Sequence, residues 1–409
     1  MITYPSSSST LSKAKKLQLV NLPFMIDRPI YLDGHATTKV DPRVISAMMP
    51  YLTDYYGNPS SNAHIYGWEA EAGVKTARET IAGAINAQPE EIIFTSGATE
   101  ANNLAIKGVA EAYFGQGKKH LISCQTEHRA VIEPCEYLQT LGFEITFLPV
   151  APNGLIDLDL LESSLREDTT LVSIMTANNE IGVIQDIAKI GELCRSRNIL
   201  FHTDAAQAIG KIPLDVEAMN VDLMSLTAHK IYGVKGIGAL YARSKNPRVR
   251  LASQLQGGGQ ENGFRSGTLY TPQIVAFAEA VKIALGELAP ENDRLQKLRN
   301  HLWQGLQSLD GIHLNGDWEQ RLHGNLNISI EGVNGASLLL GLQSKIAISS
   351  GSACSSGNTK PSHVLKALGH DDRLARASLR FGIGRFNTWE EIEKTIDVVT
   401  NTIVELRNQ

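Results

Sequence analysis

Lys230 follows an apolar run at residues 221–226, with Thr227, Ala228 and His229 between, and glycines come after it at 233, 236 and 238. The run reads as a buried strand. The lysine amine therefore stands at the mouth of a sheet, beside backbone that a ligand can approach closely. A desolvated lysine loses its proton more readily and can then attack an aldehyde as a free amine, forming a Schiff base. A surface lysine that merely follows a strand is the competing reading, and the surroundings must decide. Thr95-Ser-Gly-Ala-Thr-Glu100 has the form of a strand end, a glycine turn and a helix start. A helix N-terminus carries unpaired N–H groups and partial positive charge, and Thr99 adds a hydroxyl, which suits a phosphate. Ordinary capping by Thr95 or Ser96 would leave the same pattern.

Phe201-His-Thr-Asp204-Ala-Ala-Gln207 ends another apolar run. A carboxylate there can keep a pyridine nitrogen protonated, since an opposite charge raises the nitrogen's pKa. Gln207 stands within reach of a ring oxygen. Asp204 as a helix N-cap is the alternative. Together the amine, the anion cradle and the carboxylate match pyridoxal 5'-phosphate (PLP), whose protonated ring is an electron sink. Thr126-Glu-His128 adds an imidazole able to stack on a flat ring and to move protons. Ala177-Asn-Asn179-Glu-Ile-Gly182 adds amides that can meet a ring oxygen or a substrate carboxylate.

Three further stretches carry polar chemistry. Gln256-Gly-Gly-Gly-Gln260 and Arg265-Ser-Gly-Thr268 form a glycine-rich, basic loop. It is either a second phosphate site, serving a neighbouring subunit, or a flexible connector. Ser349-Ser-Gly-Ser-Ala-Cys354-Ser-Ser-Gly-Asn-Thr-Lys-Pro361 sets a thiol among small and polar residues, where it is accessible on a loop that can move. Cys124 and Cys194 read better as buried thiols. Ser378-Leu-Arg380-Phe-Gly-Ile-Gly-Arg385 places a guanidinium on a strand-like run. It could grip a carboxylate with two parallel hydrogen bonds, or form a salt bridge between domains.

The elements that must position these groups alternate. Strands are expected at 29–33, 91–97 (ending in glycine), 120–124, 144–150, 170–176, 199–203, 221–226 and 238–242. Helices are expected at 68–86, 98–107, 129–141, 158–165 and 186–197. In the first helix Ala70, Val74, Ala77, Ile81 and Ile85 recur at helical spacing. Apolar strands separated by amphipathic helices imply an α/β fold with a mostly parallel sheet covered on both faces, and ligands bind outside the carboxyl ends of such strands. A longer charged helix at 285–309 marks a change of domain. The expected division is a large domain at 40–284 and a small domain at 285–409, which residues 25–39 join.

The chain has 409 residues, 43% of them hydrophobic and 20% charged, with a formal net charge of −5. These are ordinary globular values, and the balance argues against a nucleic-acid binder that relies on bulk positive charge. No apolar run approaches membrane-span length. The four cysteines show no pairing pattern, which fits a reducing, cytoplasmic setting. Residues 1–24 are serine-rich and contain no acid. They read as a disordered extension, or as sequence upstream of a true start at Met25, with organellar targeting left open.

In this order, from about Pro29 to the C-terminus, the motifs resemble those of NifS/IscS-like cysteine desulfurases, within the class V aminotransferase family of fold type I PLP enzymes. The likeness includes Tyr31-Leu-Asp-Gly-His-Ala-Thr-Thr38, Ala228-His-Lys230 and Arg380-Phe-Gly-Ile-Gly-Arg-Phe386 as well as the stretches above. It implies a large domain with a mostly parallel seven-stranded sheet, plus a smaller α+β C-terminal domain. It also implies conversion of L-cysteine to L-alanine, with sulfur passing as a persulfide on Cys354 to an iron–sulfur scaffold or another sulfur acceptor. Carried over by position, Lys230 forms the Schiff base and moves the alpha proton. Asp204 pairs with the pyridine nitrogen, and Gln207 and His128 meet the ring. Ala98, Thr99, Thr227 and His229 hold the phosphate, with Thr268 from the partner of a homodimer. Asn179 and Arg380 bind the substrate carboxylate. No resident metal is implied, although Cys354 could transiently ligate an iron–sulfur cluster. The chain departs from the pattern at Gly34, Thr227, Ala228 and Gln260, and Gln260 leaves open how its loop is anchored. A selenocysteine lyase or an aminotransferase of the same fold would share Lys230 and Asp204, but an aminotransferase would not need Cys354. A non-enzymatic sulfur-assembly platform would not need the full set of Lys230, Asp204, Cys354 and Arg380.

Overall fold

The computed structural model describes residues 28–350 and 360–408. Cys354 and the N-terminal extension expected at 1–24 lie outside these residues. Twelve strands are found among them: β1 (Ile30–Tyr31), β2 (Ile92–Thr95), β3 (His120–Cys124), β4 (Glu144–Leu148), β5 (Thr169–Ser173), β6 (Leu200–Asp204), β7 (Leu223–Thr227), β8 (Gly238–Ala242), β9 (Ile312–Leu314), β10 (Asn325–Ile330), β11 (Ile346–Ala347) and β12 (Ser378–Gly382). Seven of them form the main sheet in the order β2-β8-β7-β6-β5-β3-β4. Only β8 runs against the rest, pairing antiparallel with both β2 and β7. The mostly parallel sheet expected from the sequence is therefore present.

Alternation along each strand explains the two helical layers. Phe94, Ile122, Val172, Phe201, Met224 and Tyr241 face one apolar cluster, which also takes Val74 and Ile81 from helix Ile65–Gly83 and Phe277 from helix Thr271–Gly286. Their neighbours Ile93, Leu121, Leu171, Leu200, Leu223 and Leu240 face the other, with Leu104 of helix Ala98–Tyr113 and Val131 of helix Arg129–Thr140. Residues buried on both faces make each strand a continuous apolar run, as a covered parallel sheet requires.

A third cluster gathers β10, β12 and the helices Leu288–Leu306 and Trp389–Arg407, and Leu32 belongs to it. The segment before residue 40 reaches this cluster because β1 pairs with β11 and Asp33 bridges Gly382.

Several elements differ from the sequence expectation. The helix expected at 285–309 begins at Leu288, and a separate helix, Thr271–Gly286, precedes it. The backbone turns at Glu287, whose carboxylate is taken by Arg43 and Arg385. Helix Ile65–Gly83 starts earlier than residue 68, because His64 Nδ1 accepts the Gly67 N–H at 3.3 Å and caps it. The carboxyl ends of β2, β3, β5, β6 and β7 all lie on one edge of the sheet, and every motif singled out in residues 95–230 follows one of these strands.

Gly238 shows how tightly that edge is built. A Cβ there would sit 2.4 Å from Leu226 O and 2.7 Å from Gly97 Cα. Gly238→Ala should cost about 1–3 kcal/mol through overpacking. Urea unfolding of the apoprotein measures this, and an unchanged midpoint would contradict the packing account.

Candidate active site

Gly97 is the N-cap of helix Ala98–Tyr113, at φ 151, and no side chain caps that helix. The Thr95 hydroxyl turns instead to Gly97 O at 3.0 Å, and the Ser96 N–H donates to Glu100 Oε2 at 2.7 Å. The capping alternative is thus not the arrangement found. The helix start opens into a cavity of about 1090 Å³ that Ala98, Thr99, Thr227 and His229 also line. Burial, helped by Lys230, Lys235 and Lys211, pushes His229 down to about 4, so its ring is neutral at pH 7. Its Nδ1 lies 3.2 Å from Thr37 Oγ1. An uncapped helix N-terminus beside hydroxyl and imidazole groups, with backbone kept close by Gly97 and Gly238, forms a cradle for a phosphate.

Asp204 stands at the end of β6 in the same cavity. Both of its oxygens accept hydrogen bonds: Oδ2 from Asn102 Nδ2 at 2.7 Å, and Oδ1 from the Ala206 N–H at 2.9 Å. Behind it Glu127 is fully buried. Its Oε1 accepts the Met175 N–H at 2.6 Å, and its Oε2 has no partner. Burial, with Asp204 adding to it, holds the Glu127 carboxyl well above the usual carboxylate range. A neutral acid next to a carboxylate keeps the site from carrying two buried negative charges. His128 caps helix Arg129–Thr140 by accepting the Ala130 N–H on Nδ1 at 3.1 Å. Burial lowers its pKa, so the ring is neutral and carries its proton on Nε2.

Lys230 Nζ donates to two backbone carbonyls, His35 O at 2.5 Å and Ala36 O at 2.7 Å. Gln207 Nε2 donates to the same His35 carbonyl at 2.9 Å. His35 is buried, and burial with Lys211 and Arg380 nearby holds it far below the usual imidazole value. At the opposite wall, Arg380 is buried in β12. Its Nη2 pairs with Asp33 Oδ1 at 2.7 Å and its Nη1 donates to Asn179 O at 3.1 Å, which leaves Nε without a partner. One edge of the guanidinium is therefore already held. Both Arg380 and Asn179 line the cavity. The neighbouring Glu180 fastens this wall: Asn325 and Asn327 donate to its carbonyl at 3.1 and 3.0 Å, and the Ser362 hydroxyl donates to Oε2 at 2.5 Å.

One cavity thus brings together Lys230, Asp204, Gln207, His128, Ala98, Thr99, Thr227, His229, Asn179 and Arg380. Thr268 is exposed and does not line it. The loop carrying Thr268 is anchored: Glu261 pairs with Arg78 at 2.6 Å and accepts the Phe94 N–H at 2.7 Å, while Gln260 Oε1 accepts the Gly267 N–H at 2.9 Å. Arg265 of the same loop pairs with Glu100 at 2.8 Å. Arg385 is a salt-bridge residue, joined to Asp41 at 2.7 Å and to Glu287 at 3.3 Å. Among the described residues no group of His, Cys, Asp and Glu is placed to hold a metal ion. His35, Asn102, Glu127 and Lys211 escaped the sequence reading. His35 and Glu127 lie inside the 31–38 and 126–128 motifs but drew no role there, and Lys211 follows Gln207 by four residues.

The model of the family described as aminotransferase class-V matches residues 30–395. The chain belongs to this family. It is 55% identical over 381 residues to the cysteine desulfurase IscS of Aeromonas hydrophila subsp. hydrophila, covering 93% of this chain and 94% of that protein. Among solved structures, a NifS-like protein superimposes with a TM-score of 0.85 at 38% identity, covering 92% of this chain and all of that one. SspA in complex with cysteine follows at a TM-score of 0.77 and 36% identity, covering 88% of this chain and 100% of that one. The family's cofactor is PLP, and the cavity suits it. The uncapped helix start can take the phosphate, Asp204 the ring nitrogen and Lys230 the aldehyde carbon.

The raised Glu127 pKa has a consequence for stability. The unfolded chain loses this proton at ordinary carboxylate pH while the folded chain keeps it, so wild-type stability falls as pH rises above about 4.3. Glu127→Gln, neutral throughout, should gain on wild type as pH rises from 5 toward neutrality. Urea midpoints across that range that stay parallel would contradict a neutral buried acid.

Proposed function

We propose that the protein is a PLP-dependent cysteine desulfurase that takes sulfur from L-cysteine, releases L-alanine and passes the sulfur through Cys354 to an iron–sulfur scaffold or another sulfur acceptor. The observation that carries this reading is the single cavity in which the Lys230 amine, the Asp204 carboxylate, the helix start at Ala98 and the Arg380 guanidinium meet.

When bound, the cofactor supplies an electron sink for charge that develops on the substrate's alpha carbon. The residues of this chain do the rest. Arg380, oriented by Asp33, offers its remaining donors to the substrate carboxylate, and Asn179 stands beside it. The Lys230 amine takes the alpha proton, and the His35 and Ala36 carbonyls receive its N–H groups. His128 presents an uncharged ring with its proton on Nε2, suited to stack and to hand over that proton. The Cys354 thiolate attacks the substrate sulfur. A sulfur–sulfur bond forms, the carbon–sulfur bond breaks, and its electron pair stays on carbon, which takes up a proton to leave alanine.

We read the chain as two domains that part near residues 284–288, with the segment before residue 40 belonging to the smaller one. Leu32 in the small apolar cluster and the β1–β11 pairing support this. We also read it as a homodimer. Tyr56, Ile65 and Trp68 are 65%, 54% and 50% exposed, and Ile45, Met49 and Leu52, close to them in sequence, are exposed too, apolar side chains that a partner subunit would cover. In such a dimer Thr268 would serve the partner's phosphate site. No helix among the described residues is long and apolar enough to cross a membrane, and we read the setting as cytoplasmic.

Two experiments test this reading. With L-cysteine added, mass spectrometry should find a persulfide on Cys354. Cys354→Ala should keep the colour of the bound cofactor yet lose persulfide and at least about 100-fold of the alanine output; full output from that variant would remove Cys354 from the reaction. Analytical ultracentrifugation should give a dimer, and Trp68→Asp with Ile65→Asp should shift it to monomer.

A further inference from the structure

Beside the active-site cavity, lining a small cavity that shares His35 and Lys230 with it, stands a second lysine to which the desulfurase reading gives no task. Lys211 Nζ donates to Gln207 Oε1 at 2.8 Å. Gln207 Nε2 donates in turn to His35 O at 2.9 Å, the carbonyl on which the Lys230 amine also rests. The Gln207 amide is thereby oriented from both ends, because an amine needs its oxygen and a carbonyl needs its NH2. His35 Nδ1, 3.2 Å from the same Oε1, must then carry the ring proton. Lys211 reaches this place at a cost. Burial and the charge of Lys230 push it down to about 7. The titratable groups facing it across a small cavity of about 50 Å³ are Lys230, His35, Tyr232, Glu291, His323 and Arg385. The one acid among them, Glu291, is already paired with Arg294 at 2.9 Å.

A lysine turned inward toward another lysine, with no acid to offset it, costs folding stability, and its amine donates to Gln207. We propose that Lys211 is a positioning residue for the reactive lysine: through the Gln207 amide and the His35 carbonyl it holds the Lys230 amine at the cavity floor, where an aldehyde can be captured. This rests on the reading of Lys230 as the aldehyde-binding amine. Without the Lys211 donor, Gln207 is free to rotate, the His35 carbonyl loses a fixed partner, and the Lys230 amine spreads over several orientations.

The test uses apoprotein mixed with pyridoxal 5'-phosphate, with Schiff-base absorbance followed in time from pH 6 to 9. Lys211→Met should slow capture by about 10-fold or more and alter its pH profile, a loss of about 1.4 kcal/mol in barrier terms. Lys211→Arg, which can still donate to Gln207, should recover most of the rate. Thermal unfolding separates positioning from simple structural support. Between pH 7 and the ordinary lysine value the unfolded chain binds the Lys211 proton and the folded chain does not, so wild type gains stability as pH rises through that window and is least favoured at or below 7. Lys211→Met should therefore melt no lower than wild type at pH 7, and its relative standing should decline towards pH 10. Capture at the wild-type rate and profile by Lys211→Met, capture by Lys211→Arg as slow as by Lys211→Met, or a large drop in melting temperature of Lys211→Met at pH 7 would each overturn the proposal. Wild-type protein that captures the aldehyde but makes no alanine from L-cysteine would instead count against the desulfurase reading alone.

Discussion

The bond from the Lys230 amine to the carbonyls of His35 and Ala36 closes a loop of almost two hundred residues, and the rest of the site depends on it. An amine taken out of water needs acceptors, and backbone carbonyls supply them without adding charge. Those carbonyls must come from a segment that is itself held rigid. Residues 30–38 meet this need because they are fastened on both sides. Toward the small sheet, β1 pairs with β11 and Gly34 N–H donates to Gly382 O at 3.0 Å. Toward the large sheet, the Thr38 N–H donates to His229 O at 3.0 Å and the Asp41 N–H to Tyr232 O at 2.9 Å. The same segment carries Asp33, which orients Arg380. One short stretch thus places the amine on one side and the guanidinium on the other.

The charge distribution of the cavity follows from burial. His35, His128 and His229 all have lowered pKa values, burial being the largest cause in each. Glu127 is raised by the same effect. These three imidazoles are therefore neutral at pH 7 and the Glu127 carboxyl is held toward its neutral form, beside the Lys230 amine, the Arg380 guanidinium and the Asp204 carboxylate. A ligand bearing a phosphate and a carboxylate, with one ring nitrogen that gains from a proton, complements that arrangement. The neutral imidazoles act as directional hydrogen-bonding groups without competing for the anions.

Much of this was legible in the chain. The apolar runs ending in Asp204 and Thr227 read as strands because a sheet covered on both faces buries every side chain, and the structure has them at β6 and β7. The glycine turn before Ala98 read as an anion cradle, and the helix there is uncapped. The competing capping reading could not be dismissed from sequence, since a threonine and a serine precede the helix, and only the turn of the Thr95 hydroxyl onto Gly97 O excludes it. Helix Thr271–Gly286 escaped notice because apolar residues cover most of its circumference, with only Gln273, Glu279 and Lys282 polar along its middle, so its amphipathic period is weak.

Local sequence determined which residues carry chemistry and that they follow strands, because hydrophobic period, glycine turns and the order of motifs are properties of neighbours along the chain. The tertiary structure alone decided who supports them. Asn102 on Asp204, Glu127 behind it and Asp33 on Arg380 are contacts between distant segments, whereas Lys211 on Gln207 is local and was hidden only because the fold decides which way its amine turns. No period or spacing encodes such partners; they follow from which strand edges the sheet order brings together and from how dry that junction becomes.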